Sequence, residues 1–227
     1  MKIKWGALVV DGRNKIGGQV ASKNRAGAYM RNKVTPVNPQ TSFQTTVRNR
    51  LTSFSQSWRD LTAAQILAWN AAVENFKRTD IFGDLKTPTG LNLYNRLNLN
   101  LAAANAPSIS DPPSPSTTTA LTSLSFVPDQ TAGTMLVAFA PTPIPAGHRM
   151  VISATAPYSP GITFVKNRFR QVTVFNAGVA TGADLYSFYI AKFGAPAVGE
   201  KISIEAKLTD TNTGLTSLAL RADATVV

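Results

Sequence analysis

The chain has 227 residues, with 23 Lys and Arg against 12 Asp and Glu, a net charge of +11 and no cysteine. Hydrophobic residues make up 44% and charged residues 15%, which is typical of a globular protein and excludes a disordered chain. The lack of cysteine excludes disulfides and thiolate chemistry, and the single His148 excludes multi-histidine metal sites and a convincing catalytic triad. Phosphate-binding-loop and nucleophile-elbow motifs are also missing. We therefore expect a protein that is not an enzyme and uses no cofactor, metal or small-molecule substrate.

The positive charge is concentrated near the start of the chain. Residues 1–50 hold ten bases and one acid, whereas the remaining residues are nearly neutral. A local basic segment attracts polyanions or acidic protein surfaces. The candidates for assembly or polyanion binding are Arg13, Lys15, Lys23, Arg25, Arg31, Lys33, Arg48 and Arg50. A role of this charge in solubility alone stays open.

Residues 1–37 are predicted to form a basic arm. Small residues alternate with bases, and Gly27 marks a turn between predicted strands at residues 19–24 and 28–34. Isolated hairpins are marginally stable in water. We therefore expect this β-hairpin arm to need support from its own body or from another subunit.

Residues 38–105 are predicted to form a helical docking domain. Asn38 and Pro39 predict one helix start, and Thr62 with Gln65 predicts a second through a capping box. Apolar residues recur every three or four positions after each start, which favours an antiparallel helical hairpin. Its predicted core consists of Phe43, Val47, Leu51, Phe54, Trp58, Ile66, Trp69, Val73 and Phe76.

A third helix is predicted over residues 90–105, with Thr89 as its cap. Leucines recur on one face, and the other face is rich in asparagine. Those amides are interpreted as partners for a neighbouring subunit, for a nucleic-acid backbone or for water. The turn that holds Asp80, Gly83 and Asp84 precedes this helix, and both carboxylates are expected to have structural turn roles.

Residues 106–119 are rich in Pro, Ser and Thr, which predicts an extended linker that resists packing. Residues 120–227 contain short β-rich runs separated by Pro and Gly, which favours an antiparallel immunoglobulin-like β-sandwich. A short helix is predicted over residues 182–193, with Leu185, Phe188 and Tyr189 facing inward. Lys166, Arg168 and Arg170 are predicted to share one strand face, and His148 to begin a strand. The predicted fold class is therefore α+β in two parts.

Motifs along most of the chain resemble a poorly characterised family from bacteriophages and Bacteroidetes-type genomes. Its members combine a basic Gly-rich hairpin, two Trp-bearing helices and often an immunoglobulin-like C-terminal part. The matching positions are residues 18–41, Gln44, Arg48, Trp58, Leu61, Thr62, Gln65 and residues 68–70, 89–94, 156–161, 164–166 and 191–195. The resemblance implies a phage-associated virion component and supplies no catalytic residues.

The basic arm, the linker, the predicted sandwich and this resemblance together favour a bacteriophage virion structural protein, either capsid-associated or a head-to-tail minor component. Its expected partners are other virion proteins and copies of itself, with packaged DNA as a further candidate. Apolar stretches are too short to span a membrane, so we expect synthesis in the host cytoplasm. As a virion structural protein, the chain is expected to end up in the virion. A sequence-nonspecific nucleic-acid-binding accessory protein stays open as the alternative.

Overall fold

The computed structural model describes residues 2–4, 12–35 and 37–227, so part of the predicted arm lies outside the described residues. The described chain combines α-helices with antiparallel sheets, which confirms the mixed α+β class. Apolar side chains collect in two clusters, one between the helices and one inside the C-terminal part.

The basic arm folds as a three-stranded antiparallel sheet. Its strands are β1 (Asn14–Ile16), β2 (Gln19–Asn24) and β3 (Gly27–Asn32), in the order β1-β2-β3. The predicted hairpin of β2 and β3 is confirmed, and β1 adds a strand that the sequence pattern did not indicate. Gly27 has a φ of 111°, a conformation that favours glycine at this tight turn. Lys2 pairs with Tyr29 in an isolated bridge, so chain from residues 2–4 lies against β3.

Three α-helices, two 3-10 helices (Trp58–Asp60 and Val73–Phe76) and one short strand pair form the described helical part. Their bounds are α1 (Ser42–Ser57), α2 (Ala63–Ala72), β4 (Arg78–Thr79), β5 (Leu85–Lys86) and α3 (Gly90–Ala103). The start predicted at Asn38 and Pro39 is wrong, because Thr41 caps α1 by accepting a hydrogen bond from the Gln44 N–H. The capping box of Thr62 and the cap at Thr89 are confirmed.

The predicted antiparallel hairpin of α1 and α2 is wrong, because both helices pack mainly against α3. Tyr94 of α3 joins them, with its ring centroid 5.5 Å from that of Trp58 and 5.4 Å from that of Trp69. Asn95 of α3 donates a hydrogen bond to Ser55, which places the C-terminal end of α1 beside the middle of α3.

The predicted helical core is therefore correct only in part. Trp69, Val73 and Phe76 are buried, while Phe54 and Trp58 are half-buried against the same cluster and Ile66 is only half-buried. Phe43, Val47 and Leu51 remain 58%, 62% and 45% exposed, so their assignment to the core is wrong. The cause is that α3 contributes Leu93 and Leu97 to the core and covers only the C-terminal end of α1.

The predicted linker packs against the helices in its first half. The buried Asn98 side chain donates to the Ile109 carbonyl and accepts from the Ile109 N–H, and the Trp69 indole donates to the Ser110 carbonyl at 2.7 Å. Asn100 donates to the Gly214 carbonyl at 2.9 Å. Several amides interpreted as contacts for a neighbour or for water are therefore used inside the chain.

The C-terminal part, called the sandwich below, contains two antiparallel sheets around a shared apolar core. Its elements are β6 (Ser123–Asp129), β7 (Thr134–Ala140), β8 (His148–Ala154), β9 (Arg170–Phe175), β10 (Ala183–Asp184), α4 (Tyr186–Phe193), β11 (Lys201–Asp210) and β12 (Leu220–Thr225). One sheet has the order β10-β7-β6 and the other β12-β11-β8-β9.

Three details of the predicted C-terminal part need correction. Helix α4 begins at Tyr186 rather than at residue 182, because residues 183 and 184 pair with β7 as strand β10. Leu185 and Tyr189 are buried as expected, but Phe188 is exposed, because only one side of this short helix faces the core. Lys166 and Arg168 lie in a turn before β9, so they do not share a strand with Arg170.

The sandwich holds the C-terminal end of α3. Arg149 donates to the carbonyls of Ala104 and Asn105, and Gln171 donates to the Ala103 carbonyl at 2.7 Å. These donors satisfy carbonyls that have no partner within the helix. The helical part and the sandwich are therefore joined by direct hydrogen bonds as well as by the chain.

Gly214 marks a close backbone approach between these two parts. Its φ is 72°, and a Cβ atom at this position would lie 2.5 Å from the Leu97 carbonyl oxygen. Only glycine fits both the backbone conformation and the space.

Candidate functional site

The eight basic residues predicted for binding are all exposed, but the structure does not bring them together in one site. Arg25 lies in the turn between β2 and β3 and lines a cleft against the helical part. Arg50 lines a different groove, beside the sandwich. The best-defined candidate site is the cleft at Arg25.

This cleft, called the basic cleft below, has a volume of about 610 Å³. It lies between the β2–β3 turn, strand β5 and the start of α3. Its cationic side chains are Arg25, Arg78, Lys86 and Arg96. No carboxylate lines it within residues 2–4, 12–35 and 37–227. The positive charges therefore face the cleft without a negative group in its wall.

The turn between β4 and β5 holds the arm beside the cleft. Asp80 accepts backbone hydrogen bonds from Phe82 at 2.8 Å and from Asp84 at 3.1 Å, which is the structural turn role predicted for it. Lys2 lies 3.8 Å from the Asp80 carboxylate, and Lys4 lies 3.1 Å from that of Asp84. These ion pairs join the edge of the arm to the helical part.

The electrostatic setting of Asp80 supports this docking role. Its side chain is only 4% exposed, and this desolvation raises the pKa of the carboxyl. The hydrogen bonds from Phe82 and Asp84 and the charges on Lys2 and Lys86 lower the pKa, and the net shift is downward. Asp80 therefore stays ionised at neutral pH and holds the arm in place.

Like charges lie close together in the wall of the cleft. Arg78 and Lys86 are directly opposite each other in the β4–β5 pair, an arrangement that is destabilising in a sheet. Burial and the neighbouring charge of Arg78 both lower the pKa of Arg96. An anion in the cleft would relieve this repulsion.

The arginines of the cleft have no ionic partner among the described residues. Arg25, Arg78 and Arg96 form no ion pair with any carboxylate in the described part of the chain, whereas Lys86 lies 3.8 Å from Asp84. Guanidinium groups remain charged at all physiological pH values and can hold phosphate oxygens through two parallel hydrogen bonds.

The N-terminus of α3 adds to the positive potential. Thr89 caps the helix by accepting a hydrogen bond from the Asn92 N–H at 3.1 Å, and both residues line the cleft. The first turn of a helix carries partial positive charge from its free amide groups. The first residue of this helix is Gly90, where a Cβ atom would lie 2.4 Å from the side-chain oxygen of Asn70 in α2.

The chemistry available in the cleft is anion binding. Its described lining has neither a histidine nor a carboxylate that could act as a general base.

Among the described residues, His, Cys, Asp and Glu side chains nowhere form a group of three or more suited to a metal ion. The helices in the same residues are too short or too polar to span a bilayer. His148 begins β8 as predicted, away from the cleft, with Nδ1 3.1 Å from the Ala146 carbonyl.

Sequence reasoning missed Arg78, Lys86 and Arg96. They are separated along the chain, and residues 51–105 contain five bases and four acids, so no charge excess marks them. The register of β4 and β5 and the start of α3 bring them together. The sequence of α3 contains Arg96 but no acidic residue that could pair with it. This absence was the one sequence signal that pointed to Arg96 as a binding residue.

No protein-family model matches the chain, and the search of curated proteins found no match. Among solved structures it is similar to the crystal structure of a Fn3-like protein from Clostridium thermocellum. The sequence identity is 13%, the match covers 49% of this chain and 96% of that chain, and the TM-score is 0.31. A likeness at this level carries no argument about function.

Proposed function

We propose that this protein is a non-enzymatic structural component of a bacteriophage particle that holds the phosphate backbone of packaged DNA in its basic cleft. The observation that supports the proposal is the set of three arginines and one lysine that line the cleft without an opposing carboxylate among the described residues. Phosphodiesters are the polyanion that such a site fits, because guanidinium groups pair with phosphate oxygens.

The mode of binding follows from the residue types. Arginine and lysine contacts to phosphate position a protein on DNA without reading its sequence. Among the described residues, no aromatic side chain lines the cleft for unpaired bases to stack on, so duplex DNA suits it better than a single strand. We therefore propose sequence-nonspecific binding of duplex DNA.

The rest of the molecule suits a structural role. The sandwich, which we propose to be immunoglobulin-like because its strands divide into sheets of three and four, is suited to contacts with other virion proteins or copies of this chain. A nucleic-acid-binding accessory protein outside the particle is the second candidate, and the same cleft favours it. Mass spectrometry of purified particles separates the two, because only a virion component is retained in stoichiometric amount.

The test of the cleft is a salt series of duplex-DNA binding, measured by fluorescence anisotropy on the full-length protein. The logarithm of the binding constant falls linearly with the logarithm of the salt concentration, and each phosphate contact makes this slope steeper by about 0.9. The triple variant Arg25→Gln, Arg78→Gln and Arg96→Gln should therefore reduce the slope by about 2.7, if each arginine holds one phosphate.

The matched control is Arg59→Gln, Lys166→Gln and Arg168→Gln. These exposed residues lie outside the basic cleft, and their replacement removes the same net charge. Equal losses of affinity in the two triple variants would show that binding follows overall charge and would refute the cleft as the site.

A further inference from the structure

A second recess, called the α1–β9 groove below, lies between helix α1 and the sandwich. It has a volume of about 380 Å³. Its apolar wall includes Phe43 and Val47 from α1 and Phe169 and Val172 from the sandwich side. It shares no lining residue with the basic cleft, so the two sites can be tested separately.

The apolar side of this groove is the stripe that the sequence pattern assigned to the helical core. Within the described chain, no side chain of α1 is fully buried, and Phe54 near its C-terminal end is half-buried against the helical core. Phe43 and Val47 are both more than half exposed, although they occupy the same helix face one turn apart. A helix with an uncovered apolar stripe beside a second apolar wall is a common docking surface for an extended segment or another helix.

Cations surround the apolar wall. Arg50, Arg170 and Lys192 line the groove, and no carboxylate in the described residues does so. The Lys192 ammonium lies 4.4 Å from the centre of the Phe43 ring and donates a hydrogen bond to the Gln171 carbonyl. Burial lowers the pKa of Lys192, and the nearby charge of Arg170 lowers it further. The groove therefore combines apolar contacts with uncompensated positive charge.

Strand β9 of the sandwich borders the groove, with helix α4 packed against part of it and Lys192 of that helix on the Gln171 carbonyl. Strand β9 is the last strand of the order β12-β11-β8-β9, and within the described chain it pairs only with β8. Extended peptides commonly bind by adding to such an edge, with side-chain pockets giving the specificity.

We propose that the α1–β9 groove binds an extended segment of a partner protein in which acidic and apolar residues alternate. Apolar side chains of that segment would contact Phe43 and Val47, and its carboxylates would pair with Arg50, Arg170 and Lys192. The positive charge of the groove argues against a second copy of this chain as the partner that docks through the same face. Helix α1 contains Arg48 and Arg50 and no acidic residue, so two such faces would repel each other.

The test uses labelled ten-residue peptides and the full-length protein, with binding measured by fluorescence anisotropy. The probe alternates Glu and Val, and two reference peptides alternate Lys with Val and Glu with Ser. We expect the Glu–Val peptide to bind at least tenfold more tightly than either reference. Equal binding of the Glu–Ser peptide would show simple charge attraction and would overturn the proposal.

Variants then locate the binding. Phe43→Ser with Val47→Ser should weaken Glu–Val binding at least tenfold, whereas Leu67→Ser, at a 71% exposed site on α2, should leave it unchanged. The cleft variant Arg25→Gln, Arg78→Gln and Arg96→Gln should also retain peptide binding. Loss of peptide binding in that variant would assign the peptide to the cleft and refute the groove. Retention of binding in the Phe43 and Val47 variant would refute it as well.

Discussion

Gly214→Ala tests whether the helical part and the sandwich depend on one close contact. The substitution adds a Cβ atom at a φ of 72°, which costs about 1–2 kcal/mol for a residue other than glycine. That atom would also lie 2.5 Å from the Leu97 oxygen and 3.0 Å from the Leu97 carbonyl carbon, and forcing backbone apart in this way costs about 1–3 kcal/mol more. We therefore expect Gly214→Ala to lower the free energy of unfolding by about 2–5 kcal/mol.

Gly178→Ala is the matched control for this prediction. Gly178 has a φ of 85° but no atom within 4 Å of the added Cβ, so only the conformational cost of about 1–2 kcal/mol applies. Urea unfolding followed by tryptophan fluorescence compares the two variants, since Trp58 and Trp69 both contact α3 through Tyr94. Equal unfolding midpoints would refute the reasoning, because they would show that α3 and the Gly214 loop are not in tight contact.

Three further predictions concern single hydrogen-bonding groups. Trp69→Phe should lower the free energy of unfolding by about 1–3 kcal/mol, because the Ser110 carbonyl loses its indole donor; urea unfolding measures this. Asn98→Leu should cost about 2–4 kcal/mol in the same assay, since it leaves both the N–H and the carbonyl of Ile109 without their partner. The folded-state pKa of Asp80 lies below its ordinary value of 3.8. The Asp80 carboxylate should therefore stabilise docking of the arm fully above pH 3.8, and this stabilisation should be lost as the pH falls through the folded-state pKa. Hydrogen exchange at the arm measures this loss, and an Asp80→Asn variant with the same acid response would contradict it.

The sequence predicted local structure well where a short pattern determines it. The capping box at Thr62 and the cap at Thr89 depend on residues three apart, and both helices begin where the pattern predicts. The β2–β3 hairpin follows from Gly27 and its flanking strands. The core leucines of α3 follow from their four-residue spacing.

The packing of these elements was not predictable in the same way. The apolar stripe of α1 has the period of a buried helix face, yet Phe43 and Val47 stay exposed because α3 covers only one end of α1. A hydrophobic period identifies the face that needs a partner, and it does not identify the partner. The first half of the linker was misjudged for a related reason, since hydrogen bonds from Asn98 and Trp69 hold a segment whose composition favours extension.

The basic cleft was predictable only through Arg25. The local excess of positive charge drew attention to the arm, but three of the four cations in the cleft come from a segment whose bases and acids nearly balance. Their approach depends on strand register and on the place where α3 begins, and both are properties of the folded chain.

Helix α3 has a mechanical consequence for the whole molecule. Its first turn forms part of the wall of the basic cleft, and its last carbonyls are held by Arg149 and Gln171. Its 14 residues give a rod about 21 Å long without an internal proline or glycine beyond its first position. Under the proposed function, a pull on DNA bound in the cleft would be transmitted along this one continuous helix to the sandwich, without passing through a loop.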